Sequence, residues 1–436
     1  MSWIDTNKAN KLSLTKVIVV IMFSLSMIVI LNANWRFFYG GINEGLYLRL
    51  NIAGILAALL SSVILFLKKE NRVNFILLIS SLVIGVPIMD YLFGNFAMEK
   101  ARESTKIDSS VRVRHNVYHH DLGINLYKEP QHWGEMAYEL CTNNFGFKSS
   151  CGNINNEKNL DIIFIGDSFT EGVGLAYEDT FVGLFAKDNP KLKVENMGVS
   201  SYSPSIYRSK IQYYLEQGMT FDHVYVFIDV SDIHDEAVKY ERLISNKVID
   251  RAQLIDDSSH EDMTLITAKW VKTNFPILSA VRSKLKLKMS SLDYLDHDSN
   301  RGLEFGLNPR AEWTHNIQSK EYGDRGVQFG IDTAIQHMQE LYKLLNERNI
   351  KLSVGVYPWP NQLKYDTVNN LHAEVWRNFC KDKCESFIDA NPVFFEYLQN
   401  NGNIKTYKDL YIYGDVHFNK TGNKMIFEEI SKPIRM

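Results

Sequence analysis

The stretch LDIIFIGDSFTEGVG, Leu160–Gly174, decides the fold of this chain. Its first half, Asp161–Ile165, is a short apolar run rich in Ile and Phe, which predicts a strand buried on both faces. The run ends at Gly166, and glycine allows a sharp turn at little steric cost. Ser168 then follows the carboxyl end of a parallel strand, where open α/β sheets place their ligands. Such a serine can be a nucleophile if a base lies nearby, although the same letters also fit an ordinary capped turn.

The far end of the chain supplies candidate partners for this serine. Tyr413–Gly422 has the sequence YGDVHFNKTG and holds Asp415 and His417, two residues apart. Residues i and i+2 of an extended segment point to the same side, so the Asp415 carboxylate can orient the His417 ring. The other ring nitrogen is then free to face Ser168, as in the nucleophile, base and orienter of a serine hydrolase. Without Ser168, the same two residues would fit an ordinary polar loop.

Together these blocks resemble the SGNH, or GDSL-like, hydrolase superfamily over roughly Cys141–Ile434. The resemblance implies a flavodoxin-like three-layer α/β/α domain whose parallel strands follow the order 2-1-3-4-5. It implies that Ser168 is the nucleophile. It also implies that the backbone N–H of Gly198, in the second block Asn196–Gly198, joins the Ser168 N–H in an oxyanion hole.

Two blocks depart from the common pattern of that superfamily. The third block, usually G-x-N-D, is DVSD at Asp229–Asp232, so Ser231 stands in place of the Asn as a shorter third oxyanion donor. The final block has D-x-H spacing, which is similar to the branch containing alginate O-acetyltransferases and related proteins of surface-polysaccharide acetylation. The upstream segment Thr142–Lys148 resembles the lead-in of polysaccharide-linked members. The resemblance therefore implies acylated carbohydrate as substrate, with no cofactor and no metal.

Composition excludes some classes of function. The chain has 436 residues, of which 45% are hydrophobic and 12% aromatic, enough for two or more units with a large core. The formal net charge of −3 and the lack of a Lys/Arg run argue against nucleic-acid binding.

The longest apolar runs fall in the first hundred residues and predict three transmembrane helices, at Val17–Leu31, Leu50–Leu67 and Val73–Leu92. A cleaved signal peptide is the alternative for the first run, and a buried helical bundle for all three. The two later runs disfavour the signal peptide, and the lack of polar faces disfavours the bundle.

Basic residues set the expected orientation. One group precedes the first span and another lies between the second and third, so both are expected in the cytoplasm and everything after Leu92 outside. The basic residues expected in the cytoplasm are Lys8, Lys11, Lys16, Lys68, Lys69 and Arg72. Basic residues between Lys100 and Arg114 fit this orientation less well.

The predicted regions are a membrane region 1–95, a stalk and lead-in 96–140, and an extracytoplasmic SGNH-like domain 141–436 with an insertion at about 240–326.

All four cysteines lie after the last predicted span. Cys141 and Cys151 bracket a short loop, and Cys380 and Cys384 form a C-x3-C pair. Two local disulfides in an oxidising compartment are the natural interpretation. Metal binding and free thiols remain alternatives, although the spacing fits no common zinc site.

From Asp161 onward, strands and helices alternate, which predicts a doubly wound parallel sheet. Strands are predicted at Asp161–Ile165, Lys193–Asn196, His223–Ile228, Leu352–Tyr357 and Ser386–Ile388. Helices are predicted near Tyr177–Asp188, Pro204–Glu216, Asp332–Arg348, Asn370–Asp382 and Gly422–Ile430.

Three further segments have two interpretations each. The basic amphipathic segment Met263–Leu287 could lie on a membrane or an anionic glycan, or form a lid helix with a solvated face. Metal binding is one interpretation of the polar residues in Val117–Met136 and in Asp232–Glu236, but loop residues are favoured in both. The residues concerned are His119, His120, Asp121, His132 and Trp133 in the first, and Asp232, His234, Asp235 and Glu236 in the second.

The sequence thus predicts a membrane-anchored serine esterase or O-acyltransferase acting on extracytoplasmic carbohydrate. A membrane-bound O-acyltransferase that supplies acyl groups is a candidate partner. The alternative is a non-catalytic glycan-binding or scaffold subunit of a polysaccharide modification or export complex. The altered third block favours that alternative, whereas the complete set of Ser168, Asp415 and His417 argues against it.

Overall fold

The computed structural model describes residues 23–24, 67, 71, 75, 81–103, 107–134, 136–153, 157–251, 274–275, 277–278, 281 and 307–432. Most of the first two predicted spans and most of Met263–Leu287 lie outside these residues. Among the described residues, no helix combines the length and the apolar character that a membrane crossing requires. The three spans therefore stay predictions.

The chain divides into two compact units, the first formed by Met1–Asn95 with Asn274–Leu278. Its described part includes the π-helical turn Ser81–Gly85 and the start of helix α1, Val86–Glu103. Asp90 is buried and accepts hydrogen bonds from the backbone N–H groups of Ile277, at 2.9 Å, and Leu278, at 2.7 Å. Two backbone donors therefore satisfy this buried carboxylate.

The second unit, Phe96–Thr273 with Ser279–Met436, contains a five-stranded parallel sheet. Numbered by position along the sheet's own five strands, the spatial order is 2-1-3-4-5, which confirms the predicted order. The strands preceding the sheet form two antiparallel hairpins, and a third hairpin follows the third sheet strand. The strands in chain order are β1 Arg112–His115, β2 His119–Leu122, β3 Glu129–Trp133, β4 Met136–Leu140, β5 Asn159–Gly166, β6 Val194–Asn196, β7 Thr220–Phe227, β8 Tyr240–Arg242, β9 Val248–Asp250, β10 Lys351–Val356 and β11 Ser386–Asp389.

Helices cover the sheet, and the core lies between the layers. Ile163, Phe164 and Ile165 of β5 are each 0% exposed, as expected for a strand buried on both faces. Among the described residues, the α-helices of this unit with four or more residues are α2 Ser168–Glu171, α3 Phe181–Asp188, α4 Pro204–Glu216, α5 Gly326–Asn346, α6 Pro360–Tyr365, α7 Leu371–Cys380, α8 Asn391–Leu410 and α9 Lys420–Ile430.

Several elements lack a predicted counterpart. The three hairpins have strands of three to five residues with mixed polarity, which is too short for a clear period-2 pattern. Helix α8 was also not predicted; its helical pattern is interrupted at Gly402, which has φ 74°.

Both predicted disulfides are present, Cys141–Cys151 and Cys380–Cys384. They close loops of 10 and 4 residues. The first fixes the loop after β4, and the second joins the end of α7 to the segment before β11.

Gly166 is glycine for a different reason from the one predicted. It is not among the residues with positive φ. A Cβ atom there would lie 2.1 Å from Thr170 Oγ1 and 2.7 Å from the carbonyl oxygen of Phe227. Close approach of α2 and β7 to the end of β5 therefore requires a residue without a side chain.

Candidate active site

Ser168 is placed by the end of β5. Asp167 caps the short helix α2, because its Oδ1 accepts the N–H of Phe169 at 2.9 Å. Ser168 is the first residue of this helix, so its own N–H has no partner within the turn. The side chain is 7% exposed and lies at the carboxyl edge of the parallel sheet.

A tight loop before α9 brings His417 to the same edge. Tyr411 and Phe418 form an antiparallel bridge, and Ile412 N–H donates to the carbonyl of His417 at 2.8 Å. The backbone N–H of His417 donates in turn to Asp415 Oδ1 at 3.0 Å. These bonds hold Asp415 and His417 on one side of the loop.

The three predicted residues meet in a continuous chain of contacts. His417 Nε2 lies 2.7 Å from Ser168 Oγ. The other ring nitrogen, Nδ1, makes a short hydrogen bond to Asp415 Oδ1. The Phe169 ring packs against the His417 ring, with centroids 4.7 Å apart. This arrangement can pass a proton from Ser168 to His417 while Asp415 fixes the tautomer.

The charges of this group reinforce one another. Burial alone would lower the pKa of His417, but the charge and hydrogen bond of Asp415, with smaller contributions from Asp167 and Asp229, together raise it. Burial also works against ionisation of Asp415, yet contact with His417 and the Trp133 N–H holds its pKa at about 2. Asp415 is therefore ionised throughout the range in which His417 titrates.

Trp133 is a fourth member that the sequence did not assign to the site. Its Nε1 lies 3.2 Å from Asp415 Oδ2 and 3.2 Å from His417 Nδ1. Since an indole N–H only donates and Nδ1 is bonded to Asp415 Oδ1, the carboxylate Oδ2 is the better acceptor. The sequence favoured a loop residue here, because it carries no clear signal for the β3–β4 hairpin.

The N–H of Gly198 is engaged within its own loop. It donates to Asn196 Oδ1 at 3.0 Å, and Asn196 Nδ2 donates to the carbonyl of Thr170 at 2.7 Å. A Cβ atom at Gly198 would lie 2.7 Å from Thr170 Cβ and 2.8 Å from the backbone nitrogen of Glu171. Close packing thus explains the glycine, and a role in an oxyanion hole requires Asn196 to release the N–H.

Ser231, the second predicted oxyanion donor, faces Asp229. Its backbone N–H donates to Asp229 Oδ1 at 2.8 Å, and its side chain also hydrogen-bonds Asp229. The hydroxyl must turn away from Asp229 to reach an oxyanion. Both oxyanion assignments therefore stay predictions.

Ser201 is the strained residue of the loop after β6. Its φ is 65°, a left-handed conformation that costs non-glycine residues roughly 1–2 kcal/mol. Its carbonyl accepts the Tyr240 hydroxyl at 2.7 Å. Within the described part of the chain, its N–H has no acceptor, unlike those of Gly198 and Ser200. Sequence alone gives no signal for this conformation.

Three buried carboxyl groups form a cluster that includes Asp167, the neighbour of Ser168. Atoms of Asp167, Asp229 and Asp232 lie within 4.8 Å of one another, and each residue is at most 3% exposed. Burial, followed by the charge of Asp229, raises the pKa of Asp167 to about 7. Burial also raises the pKa of Asp229 and of Asp232. Carboxylates are ligands of hard cations, but protons relieve the same repulsion.

The polar run after β7 splits among separate partners. Asp232 joins the cluster just described, while Asp235 pairs with Arg310 at 2.8 Å. Glu236 accepts hydrogen bonds from the Ser203 hydroxyl at 2.6 Å and the Ser205 N–H at 2.7 Å. Among the described residues, the run forms no single set of ligands.

The lead-in supports the site through buried charges that were not predicted from the sequence. Arg112 of β1 forms two bonds to Glu171, at 2.7 and 3.0 Å. Glu171 Oε2 also accepts the N–H of Ser200 at 2.6 Å. The buried Lys148 donates to the carbonyls of Gly172, at 2.8 Å, and Leu175, at 2.6 Å. These bonds tie the α2 and β6 loops to the lead-in.

The histidines of the lead-in have individual partners. His119 Nε2 lies 3.0 Å from Asp250, and His120 Nε2 lies 2.8 Å from the carbonyl of Ser200. Asp121 pairs with the buried Lys210 at 2.8 Å. These contacts give each group a structural partner close to the β6 loop.

Comparison with solved structures finds esterases. A member of the lipolytic G-D-S-L family from Veillonella parvula DSM 2008 matches with 11% identity and a TM-score of 0.32, covering 62% of this chain and 94% of that one. A mutant of an acetylxylan esterase from Geobacillus stearothermophilus matches with 12% identity and a TM-score of 0.34, covering 62% and 92%. The psychrotrophic esterase EstA from Pseudoalteromonas matches with 12% identity and a TM-score of 0.29, covering 63% and 94%.

No protein-family model and no curated protein matches the sequence. At these identities and TM-scores, the assignment of function rests on the geometry of the site itself.

Proposed function

We propose that this chain is a serine esterase or O-acyltransferase. The observation that carries the proposal is the 2.7 Å contact between Ser168 Oγ and His417 Nε2, with Asp415 bonded to the opposite ring nitrogen. A nucleophile, its base and the orienter of that base are the minimum set for acyl transfer through a covalent intermediate.

The reaction follows from this geometry. Ser168 Oγ attacks an ester carbonyl while its proton passes to His417 Nε2, and Asp415 stabilises the resulting imidazolium. His417 then returns the proton to the departing alkoxide, leaving an acyl group on Ser168. In the second half, water or a sugar hydroxyl, deprotonated by His417, attacks the acyl carbon. The bond from Ser168 Oγ to that carbon breaks, and His417 returns the proton to Ser168. Water gives hydrolysis, and a sugar gives transfer.

We further propose that the substrate is acylated carbohydrate outside the cytoplasm and that the chain is membrane-anchored. Support comes from the D-x-H spacing, the three apolar runs and the disulfides Cys141–Cys151 and Cys380–Cys384. A cytoplasmic reporter fused after Ile434 is expected to be silent. Reporter activity would contradict this orientation.

A second candidate is a non-catalytic glycan-binding or scaffold role. The hydrogen bonds that occupy the Gly198 N–H and the Ser231 side chain favour it, because neither group is free for an oxyanion. Loss of one oxyanion donor typically costs about 10²–10³ in turnover, so an incomplete hole would leave a slow enzyme.

Labelling with a fluorophosphonate separates the two candidates. The native protein is expected to be labelled at Ser168, and Ser168→Ala is expected to remain unlabelled. Ser200→Ala is a matched control, because Ser200 contacts Glu171 through its backbone N–H and not its hydroxyl. Unlabelled native protein that is folded would support the non-catalytic role.

A further inference from the structure

The nucleophile has a second polar neighbour that the triad does not explain. Ser168 Oγ lies 3.0 Å from Asp167 Oδ2, in addition to its 2.7 Å contact with His417. A hydroxyl has one proton to donate. If that proton points at His417, as base catalysis requires, Ser168 Oγ and Asp167 Oδ2 face each other as two acceptors unless Asp167 itself carries a proton.

The hydrogen bonds of Asp167 Oδ1 indicate which carboxyl oxygen of Asp167 carries the proton. Asp167 Oδ1 accepts the Phe169 N–H at 2.9 Å and the Tyr357 hydroxyl at 3.2 Å. With two donors, Oδ1 is the carbonyl-like oxygen of the group. Oδ2 is then the oxygen that bears a proton, and Ser168 Oγ, at 3.0 Å, is the acceptor that faces it.

The surroundings also favour a neutral Asp167. Asp229 faces three donors, the N–H and hydroxyl of Ser231 and Trp359 Nε1 at 2.6 Å, so it is best suited to hold a negative charge. Asp232 has a buried oxygen, Oδ1, without a hydrogen-bond partner among the described residues, which suits a neutral acid.

The positive groups near the cluster do not offset burial and the charge of Asp229, because His417 lowers the pKa of Asp167 by less than either of these raises it. Tyr207 donates its hydroxyl to Asp232 Oδ2 at 2.8 Å, and Arg310 is paired with Asp235 at 2.8 Å. His417 is bonded to Asp415 on its other side. A second full negative charge beside Asp229 would therefore lack a cation of its own, and like charges at this separation are not both retained.

We propose that Asp167 acts as a neutral carboxylic acid whose Oδ2–H donates a hydrogen bond to Ser168 Oγ. The proposal rests on the esterase function above. During attack, the bond from Oγ to the acyl carbon forms, the Oγ proton moves to His417 Nε2, and the carbonyl electron pair moves to the oxyanion. Asp167 keeps its own proton and stabilises the negative charge that develops on Oγ as its proton leaves.

This role predicts the direction in which turnover changes with pH. Burial and the charge of Asp229 raise the pKa of Asp167 to about 7. The neutral form is present below that pKa and is lost as pH rises through it. Turnover of the native protein is therefore expected to rise with pH as His417 loses its proton. It is then expected to fall above neutral pH as Asp167 loses its own proton.

Asparagine and serine substitutions of Asp167 test the proposal. Asp167→Asn keeps the Oδ1 acceptor and offers an N–H in place of the acid proton. Asp167→Ser keeps a helix cap for Phe169 but is too short to donate to Ser168 in the same way. Hydrogen bonds to charged groups are worth about 1.5–3 kcal/mol, so we expect Asp167→Ser to lose roughly tenfold to a hundredfold in kcat.

Asp167→Asn is expected to stay within a few-fold of the native kcat and to lose the decline above neutral pH. Thermal unfolding and fluorophosphonate labelling verify that each variant folds with an accessible Ser168. Equal loss in Asn and Ser variants would show that an ionised carboxylate is required and overturn the proposal. Full activity in both, or an unchanged alkaline decline in Asp167→Asn, would overturn it as well. An inactive, unlabelled native protein would instead contradict the esterase function.

Discussion

Two carboxyl groups flank the same Ser168–His417 contact and behave in opposite ways. Asp415, on the loop before α9, has a side chain 25% exposed and faces His417, which holds its pKa at about 2 despite burial. Asp167, at the end of β5, is buried beside Asp229, and its pKa rises to about 7. The residue type is the same, so the neighbours decide which group is a charge and which is an acid.

The difference assigns separate tasks to the two sides of the site. The charge of Asp415 is useful because it stabilises His417 after the proton has moved. A neutral group is useful next to Ser168 because a second carboxylate there would compete with His417 for the serine proton. This division is tested by substitutions that change the charge, the base or the hydrogen bonds on one side of the Ser168–His417 contact.

The largest effect is expected from removing the base. His417→Ala and Ser168→Ala should each lower kcat by about 10⁶, and the double variant should be little worse, because the two residues act as one unit. Hydrolysis of a small acyl ester by the purified, folded variants measures this. Full activity of His417→Ala would end the serine-esterase proposal.

A smaller loss is expected from Asp415→Asn, which removes the charge but keeps the shape. The variant should lose about 10⁴ in kcat, as expected when the orienter of a catalytic His is neutral. Because Asp415 raises the pKa of His417, the variant should also move the rise of activity with pH to lower pH. Asp409→Asn, in a surface pair with Lys405, is the control. An unmoved pH profile would contradict the pairing.

The sequence predicted the Asp415 side of the site but not the carboxyl cluster on the Asp167 side. The buried run of β5 and the alternation after it predicted a parallel sheet, and the resemblance to the SGNH superfamily implied its strand order. The D-x-H pair predicted Asp415 and His417. Nothing in the spacing indicated that Asp167, Asp229 and Asp232 converge, because this depends on how β5 and β7 pair side by side. Arg112 and Trp133 were missed because short hairpins carry them to the site from a segment with no clear periodicity.

Breaking the buried Arg112–Glu171 pair should affect stability more than chemistry. Arg112→Met leaves the carboxylate of Glu171, which is 0% exposed, without its main partner. Removing one partner of a buried pair typically costs about 3–5 kcal/mol of the free energy of unfolding. Chemical denaturation measures it. Arg114→Met is a matched control, because the Arg114–Asp108 pair is exposed and such pairs are worth about 0–1 kcal/mol. Equal effects of the two substitutions would contradict this role of Glu171.

The smallest effect is expected from Trp133→Phe, which weakens the Asp415 side without removing its charge. The substitution deletes the indole N–H that donates to Asp415 Oδ2 at 3.2 Å but keeps an aromatic ring against His417. Asp415 is partly exposed, so water can replace the lost donor, and one such bond is worth about 0.5–1.5 kcal/mol. We therefore expect a loss of roughly threefold to tenfold in kcat, with the alkaline decline assigned to Asp167 unchanged. His132→Ala, next to it on β3 with an exposed side chain, should have no effect. A loss as large as that of Asp415→Asn would mean that water does not replace the indole N–H and would contradict this ranking.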